Sequence, residues 1–181
     1  MKVVVCDIDN TLLDTLTRLE EIHPDFNQEE QTTYRLRGKL LKEFGKKSFY
    51  DRTTWNWEVL GLLHEFVENG YEVIFVSQTI SYQAALSKED IVETWSAMTG
   101  HPATLHIHDG IIDYVIRRLV ADADDLTHLV AIDDAPERLM MHEPVRNHRN
   151  VDVFAMEYPY NKDLIKELGY KTLKSNRFKS K

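Results

Sequence analysis

Short apolar runs without polar alternation constrain this chain more than any other feature. Residues 2–6 (Lys-Val-Val-Val-Cys), 71–76 (Tyr-Glu-Val-Ile-Phe-Val), 129–132 (Leu-Val-Ala-Ile) and 151–156 are such runs, and residues 103–108 are a weaker one. A strand with one wet face alternates apolar and polar residues, whereas a continuous apolar run needs cover on both faces, as in a parallel sheet. Helical patterns lie between the runs. Residues 57–69 put Leu60, Leu63 and Val67 on one face with Phe66 beside them, and Gly70 follows as a C-cap. Residues 89–98, 111–121, 136–142 and 163–168 are further helices, the last closed by Gly169. Strands alternating with helices predict an α/β fold, a doubly wound parallel sheet.

One stretch breaks the alternation. Residues 15–55 are too many for an ordinary connection from strand to helix, and they carry a helical core near residues 28–44, entered after Pro24 and Asn27. The expectation is a small helical cap inserted after the first strand, above the carboxyl edge of the sheet where ligands of open α/β folds bind. Residues 1–14 and 56–170 then form the core domain. Residues 171–181 hold five basic residues and no acidic one. They read as a frayed, solvated tail, with a contact to nucleic acid or a partner as the alternative.

With 181 residues, 43% of them hydrophobic, the chain has enough for one good core and a small insertion. A net charge of -8 argues against general nucleic-acid binding but leaves room for a local phosphate site. Cys6 is the single cysteine, so no intramolecular disulfide forms and a reducing compartment is the default. The first apolar run is too short for a signal peptide, and no segment approaches the ~20 apolar residues of a membrane span. The expectation is a soluble, cytoplasmic protein.

The chemistry lies at two strand ends. Asp7 and Asp9 stand two apart where the first strand closes, so both can face one site. A second acidic pair, Asp133 and Asp134, closes the run 129–132 on the same sheet edge. Carboxylates at that density require protonation or a cation, and an all-oxygen donor set suits Mg²⁺. Asp7 is then a nucleophile forming an aspartyl-phosphate, with Asp9 protonating the leaving oxygen and later deprotonating water. The alternative is that these acids are turn residues or helix caps.

The segment Asp-Ile-Asp-Asn-Thr-Leu (residues 7–12) resembles the first motif of the haloacid dehalogenase superfamily. Val-Ile-Phe-Val-Ser (73–77) resembles its second motif and Val-Ala-Ile-Asp-Asp (130–134) its fourth. The resemblance implies a Rossmann-like core and a Mg²⁺-dependent phosphomonoesterase with Asp7 as nucleophile and Asp9 as acid and base. It also implies Mg²⁺ on Asp7, the main-chain carbonyl of Asp9 and Asp134, with Asp133 in support, and phosphate held by Ser77, Gln78 and Asn10. The superfamily's third motif is a Lys or Arg between the second and fourth. Lys88 is the leading choice, with Arg117 and Arg118 as rivals, although each also fits a surface cation.

The cap's position, the late acidic pair and Tyr-Pro-Tyr-Asn (158–161) are most similar to the 5′(3′)-deoxyribonucleotidase branch, which implies a nucleoside monophosphate as substrate. That branch carries its lysine close before the acidic pair, where this chain has Ala-Asp-Asp-Leu-Thr-His (123–128). Phe49, Tyr50, Trp55 and Trp57 cluster where the insertion returns, as a platform for a base or as core packing. His106, His108 and Asp109 have a spacing that can ligate transition metals, but a structural role at the site's edge explains them equally. A polynucleotide 3′-phosphatase and a non-catalytic phosphate-binding module are the competing functions.

Overall fold

The computed structural model describes residues 1–31, 36–107, 111–122, 125–135, 138 and 150–175. Six strands, β1 (Lys2–Asp7), β2 (Glu72–Ser77), β3 (Ala103–Ile107), β4 (His128–Asp133), β5 (Val151–Glu157) and β6 (Lys171–Lys174), form one parallel sheet in the order β3-β2-β1-β4-β5-β6. The chain steps outward from β1 through β2 to β3, then returns to the other side of β1 to lay down β4. A crevice opens at such a reversal, between the carboxyl ends of β1 and β4.

Consecutive side chains of a strand point to opposite faces, and here both faces are dry. Val4, Cys6, Val73, Phe75, Val130 and Ile132 meet Val59 and Leu63 of helix α4 (Trp57–Glu68) and Trp95 of helix α5 (Tyr82–Thr99). Val3, Val5, Val76, Leu129 and Ala131 instead meet Val115 and Ile116 of helix α6 (Ile111–Asp122) and Ile165 of helix α7 (Lys162–Leu168). Each fully buried aliphatic side chain contributes roughly 1.5–3 kcal/mol, so this double cover anchors β1 and the acids at its end.

Three elements depart from expectation. Helix α5 begins at Tyr82 because Ser81 caps it, its hydroxyl accepting the Ala84 N–H at 3.0 Å; Lys88 therefore lies inside a helix and not before one. Residues 171–174 are no frayed tail but edge strand β6, paired with β5 from Phe154↔Lys171 to Glu157↔Lys174. The left-handed Gly169 (φ 63°) turns the chain, Leu173 enters the core, and Lys171 reaches Asp152 at 3.1 Å. One inward Leu among lysines suffices for a strand, and edge lysines discourage further pairing. Residues 176–181 of the basic segment, like His108, Asp109 and the helix expected at 136–142 except Arg138, lie outside the described residues.

The third departure is helix α1 (Thr15–Ile22), which opens the insertion where Asp14 accepts the Thr17 N–H at 3.3 Å. A short 3-10 turn (Gln28–Glu30), helix α2 (Gly38–Glu43) and helix α3 (Lys47–Tyr50) follow. The exit and return of the insertion are tied together. Asp14 N–H donates to the Thr54 carbonyl (2.9 Å), and the buried Asn56 donates its N–H to the Leu12 carbonyl (2.9 Å) and its amide to the Thr11 carbonyl (2.7 Å). Among the described residues, no helix is long and apolar enough to cross a membrane.

Candidate active site

The loop leaving β1 folds back on itself, with Leu13 N–H donating to the Ile8 carbonyl at 2.9 Å. Asn10 sits in the left-handed region (φ 58°), which Asn tolerates better than most residues. Its N–H and side chain are both engaged by Thr15 Oγ1, and Tyr158 donates its hydroxyl to the Asn10 carbonyl at 2.9 Å. Locked in this way, the loop separates Asp7 from Asp9.

Asp7 faces the β4 acids. Asp7, Asp133 and Asp134 are all buried, and one carboxylate oxygen from each lies within 4.8 Å of the other two. Asp133 Oδ1 accepts the N–H groups of Asp134 (2.8 Å) and Ala135 (3.1 Å), so it shapes the turn after β4. Asp134 accepts the Tyr160 hydroxyl, and Asn161 donates to its carbonyl at 2.6 Å. Burial first, then the neighbouring carboxylates, pushes Asp7 well above the usual carboxylate range despite the opposing pull of Arg138. The same causes bring Asp134 up to about 7, against the lowering effect of the Tyr160 hydrogen bond and Arg138.

Asp9 has different partners. Its Oδ2 accepts from the Lys88 ammonium at 2.5 Å and from Ser77 Oγ at 3.3 Å, and its Oδ1 is buried without a hydrogen-bond partner. Lys88, only 1% exposed, also donates to Ser77 Oγ (2.5 Å) and to the Gln78 carbonyl (2.6 Å). Tyr50 from α3 covers this group, its ring centroid 5.5 Å from the Lys88 ammonium. The Tyr50 hydroxyl is pushed up by burial and then by the Asp9 charge.

A cation that sequence reasoning missed completes the site. Arg138 donates from Nη1 to Asp7 Oδ1 at 2.9 Å, and the same nitrogen stands 4.0 Å from Asp133 Oδ1. Burial alone would lower its pKa, but Asp7, Asp133 and Asp134 outweigh that and push it up, keeping the guanidinium charged. The available signal was its place one helical turn beyond Asp134, since helical side chains lean back towards the helix start. Arg117 and Arg118 instead line a separate surface cleft with Tyr114 and Ala121.

These groups line a cavity of about 450 Å³. Asp7, Asp9, Asn10, Gln78, Asp134 and Arg138 form its floor, and Leu36, Arg37, Leu41, Phe44, Tyr50 and Ile80 form its walls. Of the four aromatics at the insertion's return, only Tyr50 reaches the cavity. Phe49 is buried in the core and Trp55 packs against it, while Trp57 is 65% exposed on α4. His106 is half-buried on β3, opposite Val76, and does not join the carboxylate group.

The residues present fit a divalent cation. With Asp7, Asp9, Asp133 and Asp134 all ionised, the two cations Lys88 and Arg138 would leave two negative charges, which a divalent cation would balance; without it, burial and mutual repulsion push Asp7 and Asp134 up. Three of the acids are already gathered in an oxygen-only set of the kind Mg²⁺ prefers. The Asp9 side chain stays with Lys88, outside that set.

Fold and site define a class: a Rossmann-like α/β domain with an acidic pocket at the carboxyl edge of its sheet, under an insertion that follows the first strand. No protein-family model matches the chain, and no curated protein matches it by sequence. Solved structures match its fold. A D,D-heptose 1,7-bisphosphate phosphatase from B. bronchiseptica, complexed with magnesium and phosphate, aligns with a TM-score of 0.57 at 8% identity, over 97% of this chain and 93% of that one. A phosphoserine phosphatase, captured as a phospho-aspartyl intermediate analogue, aligns with a TM-score of 0.53 at 14% identity, over 95% of this chain and 92% of that one. The chain shares the fold of these two phosphatases.

Proposed function

We propose that this chain is a Mg²⁺-dependent phosphomonoesterase of the haloacid dehalogenase superfamily that works through an aspartyl-phosphate on Asp7. One observation carries the reading: Asp7 is grouped with Asp133 and Asp134, while Asp9 is held apart on Lys88 and Ser77. A divalent cation on that group would counter the burial that raises metal-free Asp7 and hold it ionised as a nucleophile, while the Asp9 side chain lies outside the group. The folds of two phosphatases, one bound to magnesium and phosphate and one an analogue of a phospho-aspartyl intermediate, support it.

Asp7 and Asp134, with the Asp9 carbonyl that the motif resemblance supplies, would hold the cation, while Asp133 fixes the turn. When bound, the cation lets a dianionic phosphate approach the acids and stabilises the charge that develops in transfer. A carboxylate oxygen of Asp7 bonds to phosphorus as the bond to the leaving oxygen breaks, and Asp9, once protonated from solvent, gives that oxygen its proton. Asp9, now ionised beside Lys88, takes a proton from water. The water oxygen bonds to phosphorus, the Asp7–phosphorus bond breaks, and inorganic phosphate leaves.

Nucleoside monophosphates are the first substrate class to test. The apolar wall of Leu36, Leu41, Phe44 and Ile80 suits a leaving group with a flat apolar part, and Arg37 adds a positive charge at the rim. Tyr158, Tyr160 and Asn161, the segment similar to the nucleotidase branch, brace Asn10 and Asp134 from behind. The support for a nucleotide therefore rests on the walls. The polynucleotide alternative loses part of its support, because Lys171 and Lys174 belong to an edge strand two strands away from β4.

The test is phosphate release from a panel of nucleoside, sugar and amino-acid monophosphates with Mg²⁺ or EDTA, for wild type and Asp7→Asn. Mg²⁺-dependent release by wild type alone is the expected result. Equal release by both proteins would remove Asp7 as nucleophile, and no release from any substrate would leave a binding module.

A further inference from the structure

Lys88, the leading choice for the third-motif cation, has no proton to spare for a phosphate. An ammonium offers three donors. All three are spent, on Asp9 Oδ2 at 2.5 Å, Ser77 Oγ at 2.5 Å and the Gln78 carbonyl at 2.6 Å. The ammonium lies beneath the Tyr50 ring, and Lys88 is only 1% exposed and does not line the cavity. Releasing any of these bonds would strand a charged donor in a dry site, which costs far more than an exposed one would.

Arg138 is in the opposite position. A guanidinium carries five donors in a planar fork matched to phosphate oxygens. Among the described contacts, one nitrogen serves Asp7 Oδ1, and the side chain lines the cavity beside Asn10, Gln78 and Asp134. It also stands against the same acids that suit a divalent cation, 2.9 Å from Asp7 and 4.0 Å from Asp133. Two cations cannot share those oxygens without strong mutual repulsion.

Resting on the phosphatase reading above, we propose that Arg138 is the substrate-phosphate ligand of this site, parked on the nucleophile Asp7 until a divalent cation and the phosphate arrive together. Lys88 is then a positioning residue that holds Asp9 and Ser77. Movement of the guanidinium from Asp7 to a phosphate oxygen frees the carboxylate that must attack. It also couples the two ligands, because a phosphate that draws Arg138 away removes the competitor of the metal.

The experiment measures Mg²⁺ binding and inorganic phosphate binding by calorimetry on the full chain, for wild type, R138Q and R138K. R138Q should bind Mg²⁺ alone about tenfold or more tightly than wild type, because a competing charge is gone. Its Mg²⁺-loaded form should bind inorganic phosphate about tenfold to hundredfold more weakly. R138K keeps the charge, so its Mg²⁺ affinity should stay near wild type while its phosphate affinity falls for want of the fork. A purely structural Arg138 would weaken both ligands in R138Q, and that result overturns the proposal. So does phosphate affinity unchanged in both variants. Wild type that binds Mg²⁺ and phosphate while the variants match it sinks the Arg138 assignment alone, whereas wild type that binds neither ligand sinks the phosphatase reading with it.

Discussion

Asp7 and Asp9 are two residues apart on one loop, yet they belong to different electrostatic regions. Asp7 sits over the β1–β4 crevice among two more buried acids, with Arg138 as its counter-ion. Asp9 sits on the β2 side, bonded to a buried ammonium and a hydroxyl beneath an aromatic ring. A carboxylate in the first region is short of positive charge and gains by taking on a metal or a phosphoryl group. One in the second is already compensated by the buried ammonium and lies outside the three-carboxylate group. The difference comes from which neighbouring strand each faces, and the fold-back of the Asn10 loop maintains it.

The largest effect separates the two acids by what accumulates. With p-nitrophenyl phosphate, whose leaving group needs little protonation, Asp9→Asn should still phosphorylate Asp7 but lose water activation. Turnover should fall by about a thousandfold or more, with phosphoenzyme building up. Asp7→Asn should be equally slow with no phosphoenzyme. Mass spectrometry of acid-quenched protein reads the difference, and an Asp9→Asn protein that never carries phosphate would show that the acids do not divide the work in this way.

A second, smaller effect is confined to the Asp7 region. Asp7 and Asp134 have folded-state pKa values raised above their unfolded ones, Asp134 to about 7. The folded state therefore binds more protons than the unfolded state between about pH 4 and 7, and stability that is fully present below that window is lost as pH rises through it. For Asp134 alone this is at most about 4 kcal/mol, on the order of 10 °C in melting temperature. In EDTA the protein should melt higher at pH 5 than at pH 8. Mg²⁺ should raise the melting temperature more at pH 8, where the acids are ionised, and Asp134→Asn should flatten the pH slope. A melting temperature in EDTA that climbs from pH 5 to pH 8 would contradict the electrostatic picture of this region.

The two regions were unequally legible in the sequence. Asp7, Asp133 and Asp134 stand out because each follows a run of β-branched and apolar residues, a local pattern that also locates the sheet edge. Arg138 does not stand out, because its partner is 131 residues away and its neighbours read as an ordinary amphipathic helix. Lys88 could be named as a candidate, but not the three acceptors that occupy it, since those depend on how α5 packs beside β2. Tyr50 was hidden among four aromatics whose burial is decided by the insertion's tertiary packing. Strand β6 was masked by lysines on either side of its single inward Leu173. Periodicity identifies elements and their ends; it does not show which long side chains span from one element to another.

The smallest expected effect tests whether the Asp7 region is tuned from behind. Tyr158 and Tyr160 stack with ring centroids 5.5 Å apart and planes within 2° of parallel, and only the Tyr160 hydroxyl reaches Asp134. Tyr160→Phe keeps the stack and deletes one donor. The lost hydrogen bond should cost about 1 kcal/mol, or roughly fivefold in Mg²⁺ affinity, because it orients the carboxylate and favours its ionised form. Tyr50→Phe removes a hydroxyl from the Asp9 region and should leave Mg²⁺ affinity unchanged, since Asp9's side chain is outside the three-carboxylate set. Parallel Mg²⁺ titrations of the two variants make the comparison directly. Equal losses would mean that the Asp7 and Asp9 regions form one continuous electrostatic unit, and loss in Tyr160→Phe alone would mean that the fold keeps them separate.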